Sequence, residues 1–199
     1  MNGGRIAVFL DRDGTLNEEV DFLRTPDELR LIPGAAAAIR TLNDRGIITC
    51  IISNQSGIAR GFLSEEDLVP IHERMEEELF REGATIDRIY YCPHHPTEGK
   101  QPYNIVCECR KPNPGMLMQG EQDFGIDLSR SFVVGDRIAD VLAGKAVGAS
   151  TILVLTGYGK NSLAECERES IKPDHVAESI KEAVEFIMQS LKGENPKNV

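Results

Sequence analysis

A chain of 199 residues that is 41% apolar and 27% charged, with 18 glycines, has the composition of an ordinary globular protein, and at this length it buries roughly 70% of the surface its unfolded form exposes. Its formal charge of −10 argues against non-specific binding to nucleic acid or anionic membranes, though not against a small anionic substrate in a locally basic pocket. No run of 18 apolar residues occurs, and the N-terminal "MNGGRIAVFLDRDG" passes from a short apolar stretch straight into acidic residues, so neither a membrane span nor a signal peptide is expected and the cytoplasm is the expected compartment.

Strand-like and helix-like segments alternate along the chain. Residues 5–10 (RIAVFL) predict a short strand that ends in a turn at Gly14. Residues 33–46 (PGAAAAIRTLNDRG) predict a helix stopped by Gly46. Residues 47–53 (IITCIIS) are mostly β-branched and predict a strand covered on both faces, followed by a loop at 54–61. Ser64 and Asp67 form a capping-box pattern that opens a helix to about Arg81, in which Pro70 marks either the first turn or a kink. Residues 86–92 (IDRIYYC) predict a third strand. Residues 93–112 show neither period and carry four prolines, long for a loop that packing alone would hold. A helix is expected from about Pro114, a strand over 131–136, a helix over 137–148 and a strand over 150–157. No element is read between 158 and 177. A final helix from about Glu178 to Leu191 carries Ile180, Ala183, Val184, Ile187 and Leu191 on one face, and residues 193–199 read as a flexible tail.

This alternation predicts an α/β fold: a Rossmann-like three-layer sandwich with a mostly parallel sheet and helices on both faces. Ligands in such folds sit outside the carboxyl ends of the strands. Asp11, Asp13, Ser53, Asn54 and Asp136 all fall at predicted strand ends. Asp11 and Asp13 are two apart in extended backbone, so their side chains leave on one side. Three converging carboxylates call for a cation, and a hard one with oxygen ligands, Mg²⁺, fits.

The 92–109 segment, "CPHHPTEGKQPYNIVCEC", offers Cys92, His94, Cys107 and Cys109, with His95 as an alternative to His94. Four soft or imidazole donors in a loop without its own core predict a closed, structural Zn²⁺ site. Cys50 and Cys166 stand alone and read as a core residue and a bystander.

Four motifs occur in order: "DRDGTLN" at 11–17, "SNQS" at 53–56, "RKP" at 110–112 and "VGDRIAD" at 134–140. They resemble the haloacid dehalogenase superfamily of phosphotransferases over residues 5 to about 157. The resemblance implies Asp11 as the nucleophile that forms an aspartyl-phosphate and Asp13 as the general acid and base. It implies Ser53 as the hydroxyl that binds the phosphoryl group and Lys111 as its stabilising cation. Mg²⁺ would be held by the Asp11 carboxylate, the Asp13 carbonyl and Asp136. With "YYCPHHP" and "CECRKPNPGM", the chain is similar to the D-glycero-D-manno-heptose-1,7-bisphosphate phosphatases and their histidinol-phosphate phosphatase relatives.

That closer resemblance implies a single domain over 1–192 without a large cap, its zinc loop at 92–110. It implies a phosphorylated sugar as substrate, hydrolysed at position 7, on the route to the heptose of bacterial lipopolysaccharide. Arg110 would then recognise the substrate, helped by Asn54, Gln55, Ser56 and Arg60, with Glu18, Glu19, Val20 and Asp21 lining the site. Asp140 reads either as a second acidic neighbour of the metal or as a helix-surface residue. The rival readings are a histidinol-phosphate phosphatase and a non-catalytic module whose zinc loop contacts a partner. The two adjacent carboxylates at 11 and 13 argue against the latter. With no exposed apolar stripe in the pattern, a monomer is expected.

Overall fold

The computed structural model of the protein describes residues 4–193. A six-stranded sheet runs in the order β3-β2-β1-β4-β5-β6 with every neighbouring pair parallel. The strands are β1 (Ala7–Leu10), β2 (Ile48–Asn54), β3 (Arg88–Cys92), β4 (Phe132–Gly135), β5 (Ser150–Val154) and β6 (His175–Ala177). The helices are α1 (Ala35–Asn43), α2 (Ser56–Ala59), α3 (Glu65–Arg81), α4 (Gly115–Phe124), α5 (Ile138–Ala146), α6 (Gly159–Arg168) and α7 (Ile180–Gly193).

Strand alternation divides the core into two halves. Val8 and Leu10 of β1 point into one cluster with Ile39 and Leu42 of α1, Ile71 and Met75 of α3, and Ile180, Val184 and Ile187 of α7. Ala7 and Phe9 point the other way, onto Met116 and Leu117 of α4 and Ala143 of α5. All four β1 residues are buried, as are the first six of β2. A strand with helices above and below it is mostly apolar, and β1 is an unbroken apolar run while the first six residues of β2 depart from one only at the buried Thr49 and at Ser53, which faces the site.

The chain builds β1, β2 and β3 outward in one direction, then returns to place β4 on the other side of β1. The crevice at the carboxyl ends of β1 and β4 is therefore the topological switch point, where doubly wound sheets bind ligands.

Several local expectations are corrected. Residues 158–177, read without an element, contain α6 and the edge strand β6. The 54–61 loop holds the short α2. Pro70 lies well inside α3, past its first turn, so the helix continues through it and forgoes one bond to the Glu66 carbonyl. The α3 capping box is present as expected: Ser64 Oγ accepts from the Asp67 N–H at 3.1 Å, and the Asp67 carboxylate accepts from the Ser64 N–H at 2.8 Å. Among the described residues, 93–114 contain no helix or strand, and no cap domain is inserted. Gly193 closes α7, and the rest of the expected tail, 194–199, lies outside the described residues.

Candidate active site

β1 delivers Asp11 to the switch point, where its N–H bonds the Val134 carbonyl of β4 at 2.9 Å. β4 delivers Asp136, and the first turn of α5 delivers Asp140. Carboxylate oxygens of Asp11, Asp136 and Asp140 all lie within 4.8 Å of one another, and all three residues are buried. Among the described residues, one cation answers two of them directly. Lys111 Nζ donates to Asp11 Oδ1 at 2.8 Å, to the Ile52 carbonyl at 2.7 Å and to Asp140 Oδ1. Burial alone would lower the Lys111 pKa, but Asp11 and Asp140 overrule it and hold the amine well above the usual lysine range.

One ammonium against three carboxylates leaves the cluster electron-rich. Burial, then the Asp11 charge, pushes the Asp136 carboxyl up to about 8. Burial pushes Asp140 up to about 6 against the pull of Lys111. Asp136 Oδ2 accepts from the Tyr158 N–H at 2.7 Å, while Oδ1 is buried without a partner. A buried, unsatisfied carboxylate oxygen beside two further carboxylates fits a divalent cation with oxygen ligands. Gly14 and Gly157 give Asp136 its room: a Cβ on either would stand 2.2 Å from Asp136 Oδ2, and both have positive φ.

Asp13 faces a different environment. Burial favours its neutral form, but Arg12, Asn17 and Gln55 outweigh that and hold the carboxyl below its usual range. Arg12 Nη2 donates to Asp13 Oδ1 and Oδ2 at 2.9 and 2.8 Å, Asn17 Nδ2 to Oδ1 at 3.0 Å and Gln55 Nε2 to Oδ2 at 2.9 Å. Arg12 itself is 1% exposed. Ser53, at the end of β2, accepts from Gln55 Nε2 at 2.7 Å.

The cysteine segment returns to this site. Sγ atoms of Cys92, Cys107 and Cys109 and a ring nitrogen of His94 lie within 4.8 Å of one another. Sulfur–sulfur distances run from 3.1 to 3.5 Å. Three thiols and one imidazole make a donor set that suits Zn²⁺. His95 is not part of it: its Nδ1 accepts from the Glu98 N–H at 3.0 Å, and its other ring nitrogen faces Arg60. Arg110 donates to the His94 carbonyl at 3.0 Å, and the Lys111 backbone is clipped at 3.0 and 2.9 Å by both ends of the Asn54 amide. A second tether is the Glu65 carboxylate, which accepts from Tyr91 and Tyr103 at 2.7 Å each.

These elements enclose a cavity of about 290 Å³. Its floor is Asp11, Asp13, Ser53 and Lys111, and Arg60, Arg110 and Arg137 stand on its wall. Gln55 and Ser56 also line it, as do Glu19 and Asp21. Glu19 is paired with Arg137 at 3.3 Å, and Asp21 accepts from Tyr158 Oη at 3.0 Å. Glu18 and Val20, from the same stretch, are exposed and do not line the cavity. Asn54 touches the cavity, but Lys111 occupies its amide. Asp140 is a buried neighbour of the carboxylates, not a surface residue.

Sequence reasoning missed Arg12, Arg137 and Tyr158. Arg12 was findable, because alternation turns the residue between Asp11 and Asp13 to the opposite side, into the protein. Arg137 lies over the Tyr158 ring at 3.9 Å, and nothing in the sequence pairs those two.

Residues 108–183 match the HAD-hydrolase-like family model. The chain is 46% identical over 152 residues to the D-glycero-beta-D-manno-heptose-1,7-bisphosphate 7-phosphatase of Pasteurella multocida, covering 76% of this chain and 82% of that protein. It is 42% identical over 191 residues to the D-glycero-D-manno-heptose-1,7-bisphosphate 7-phosphatase of Thermosynechococcus vestitus, covering 94% and 97%. The crystal structure of D,D-heptose 1,7-bisphosphate phosphatase from B. bronchiseptica, complexed with magnesium and phosphate, superposes with a TM-score of 0.82 at 34% identity, covering 93% of this chain and 99% of that one. Fold, ordered motifs and near full-length similarity agree: the chain belongs to the D-glycero-D-manno-heptose-1,7-bisphosphate 7-phosphatase family of HAD-like hydrolases.

Proposed function

We propose that this protein is a Mg²⁺-dependent phosphatase that removes the 7-phosphate of D-glycero-D-manno-heptose 1,7-bisphosphate. The observation that supports it most is the buried Asp11, Asp136 and Asp140 cluster with its unpartnered Asp136 oxygen, of which Asp11 and Asp140 line a cavity walled by three arginines. Asp11, Asp136 and the Asp13 carbonyl would hold the Mg²⁺, which supplies the charge neutralisation that lets a carboxylate approach a phosphate.

Asp11 attacks phosphorus, and the bond to the sugar oxygen breaks. Asp13 gives a proton to the departing oxygen. It then takes one from the water that attacks the aspartyl-phosphate, which frees inorganic phosphate and restores Asp11. In the resting arrangement Arg12 keeps Asp13 ionised. A phosphate dianion beside it opposes Arg12 and raises its proton affinity, the direction that leaving-group protonation requires. Lys111 and Ser53 stabilise the transferring group, a task in which positioning and charge supply almost all of the catalysis.

Arg110 takes the phosphate that is not cleaved. Cys92, His94, Cys107 and Cys109 would hold Zn²⁺, which would fix the loop that carries Arg110 and Lys111. A heptose bisphosphate substrate would place the enzyme on the route to a heptose of the bacterial cell surface.

Phosphate release with Mg²⁺ is measured on both anomers of heptose 1,7-bisphosphate and on histidinol phosphate, with Asp11→Asn as control. Loss of one phosphate from a heptose bisphosphate, dependent on Asp11, is the expected result. Preference for histidinol phosphate would overturn the substrate and leave Arg110 without its phosphate.

A further inference from the structure

Gln55 lines the cavity and stands among the residues expected to touch substrate, yet both ends of its amide are already engaged within the protein. Nε2 donates to Ser53 Oγ at 2.7 Å and to Asp13 Oδ2 at 2.9 Å. Oε1 accepts from Arg12 Nη2 at 3.3 Å. The residue is 6% exposed. The amide has one acceptable orientation. Turned over, it would set its oxygen against the Asp13 carboxylate and its N–H groups against the Arg12 guanidinium. His72 of α3 backs the guanidinium, with Nε2 3.4 Å from Arg12 Nη1, so the orienting group is itself held from behind.

This fixes the Ser53 hydroxyl. A serine hydroxyl has one proton to give and lone pairs to receive. Its partner here is an N–H donor, so the bond uses a lone pair, and the hydroxyl proton is left free beside Asp11 and Lys111 at the cavity floor. We infer that Gln55 is a positioning residue that turns the Ser53 O–H toward the transferring phosphoryl group and ties it to the acid/base Asp13, its amide oriented by the buried Arg12. The inference rests on the phosphatase reading above. It adds how the hydroxyl is aimed, and it removes Gln55 from the substrate contacts.

The test is a double-mutant cycle on phosphate release from the heptose bisphosphate. Gln55→Glu keeps shape and the Arg12 contact but puts an oxygen where Nε2 stands, so Ser53 donates to it and its proton leaves the cavity. Gln55→Met keeps volume and removes the amide. Ser53→Ala, which deletes one donor to the transition state, lowers kcat by about 100-fold. Gln55→Glu, whose carboxylate also repels Asp13, is expected to cost at least that with KM changed little, and Gln55→Met to cost roughly 10-fold, the scale of one misdirected hydrogen bond. The Ser53→Ala/Gln55→Met double variant falls below Ser53→Ala by clearly less than about 10-fold, because the aim of an absent hydroxyl cannot matter and only the lost Asp13 bond adds. A direct substrate contact would instead add its full cost in the Ser53→Ala background and raise KM, and that result overturns the inference while leaving the phosphatase reading intact. Absence of Asp11-dependent phosphate release in the unsubstituted protein would remove both.

Discussion

Replacing Lys111 by Met keeps most of the stem's volume and deletes the amine that pairs with the buried Asp11 and Asp140. The side chains of Lys111, Asp11 and Asp140 are 4%, 8% and 2% exposed. Removing one partner of such a pair costs about 3–5 kcal/mol, because the remaining charge is left uncompensated. Protonation sets a ceiling. Keeping one carboxyl neutral from its ordinary 3.8 up to about pH 7.5 costs roughly 5 kcal/mol, at about 1.36 kcal/mol per pH unit.

In a chain of this length each kcal/mol moves Tm by about 2–4 °C, so the Mg²⁺-free variant is expected to melt roughly 10 °C below the unsubstituted protein near neutral pH. The pH sign follows from the carboxyls, already raised to about 6 for Asp140 and about 8 for Asp136 and higher still without Lys111. A carboxyl raised in the folded state leaves stability intact below its unfolded pKa and loses it as pH climbs through the folded value. The deficit is therefore small near pH 5 and large near pH 8, and saturating Mg²⁺ shrinks it by replacing the lost charge. Calorimetric Tm values at both pH values, with and without Mg²⁺, decide it. An equal deficit under all four conditions would show that lost packing, not charge, sets the cost.

Asp11→Asn is expected to abolish phosphate release and labelling of the protein by phosphate, without lowering Tm, because it removes a buried charge; any retained turnover would refute the nucleophile. Gly14→Ala forces a Cβ to 2.2 Å from Asp136 Oδ2 at a φ of +79°, and is expected to cost about 1–3 kcal/mol in urea unfolding and to weaken Mg²⁺ binding. Elemental analysis should find one zinc per chain, and Cys107→Ser should lower it, expose residues 93–112 to proteolysis and reduce turnover. Full turnover in zinc-free protein would break the link between the loop and Arg110 and Lys111.

The strands β1, β2 and β4 were legible because a strand buried on both faces is mostly an apolar run, and such a run ending in Asp or Ser-Asn names both the strand and its functional end. The Cys/His cluster was legible for a related reason: four thiol and imidazole donors stand out in a segment without its own core, though the Tyr103–Glu65 tether that also holds the segment was not. β6 was not legible, because three residues at a sheet edge carry no pattern. It is placed by β5 and by Asp174, which accepts from the Thr151 N–H at 2.8 Å and from its hydroxyl at 2.7 Å. α6 begins at Gly159 with no side-chain cap to announce it.

The same limit governs the polar residues at the strand ends. Sequence supplies donors and acceptors at the right edge of the sheet but not the partner each one chooses. Asn54 and Gln55 are adjacent amides in one motif, and both read as substrate contacts. In the fold the first spends its amide on the Lys111 backbone, and the second spends its own on Arg12, Asp13 and Ser53. A buried amide that is fully satisfied by its own protein has little left for a ligand. What still faces the cavity is the Ser53 hydroxyl and the positive charge of Lys111 and of the arginines at 60, 110 and 137, each of which also holds partners of its own. The cations of the cavity wall are therefore supplied by α2's end, the cysteine segment and the turn after β4, while the amides between them hold the frame.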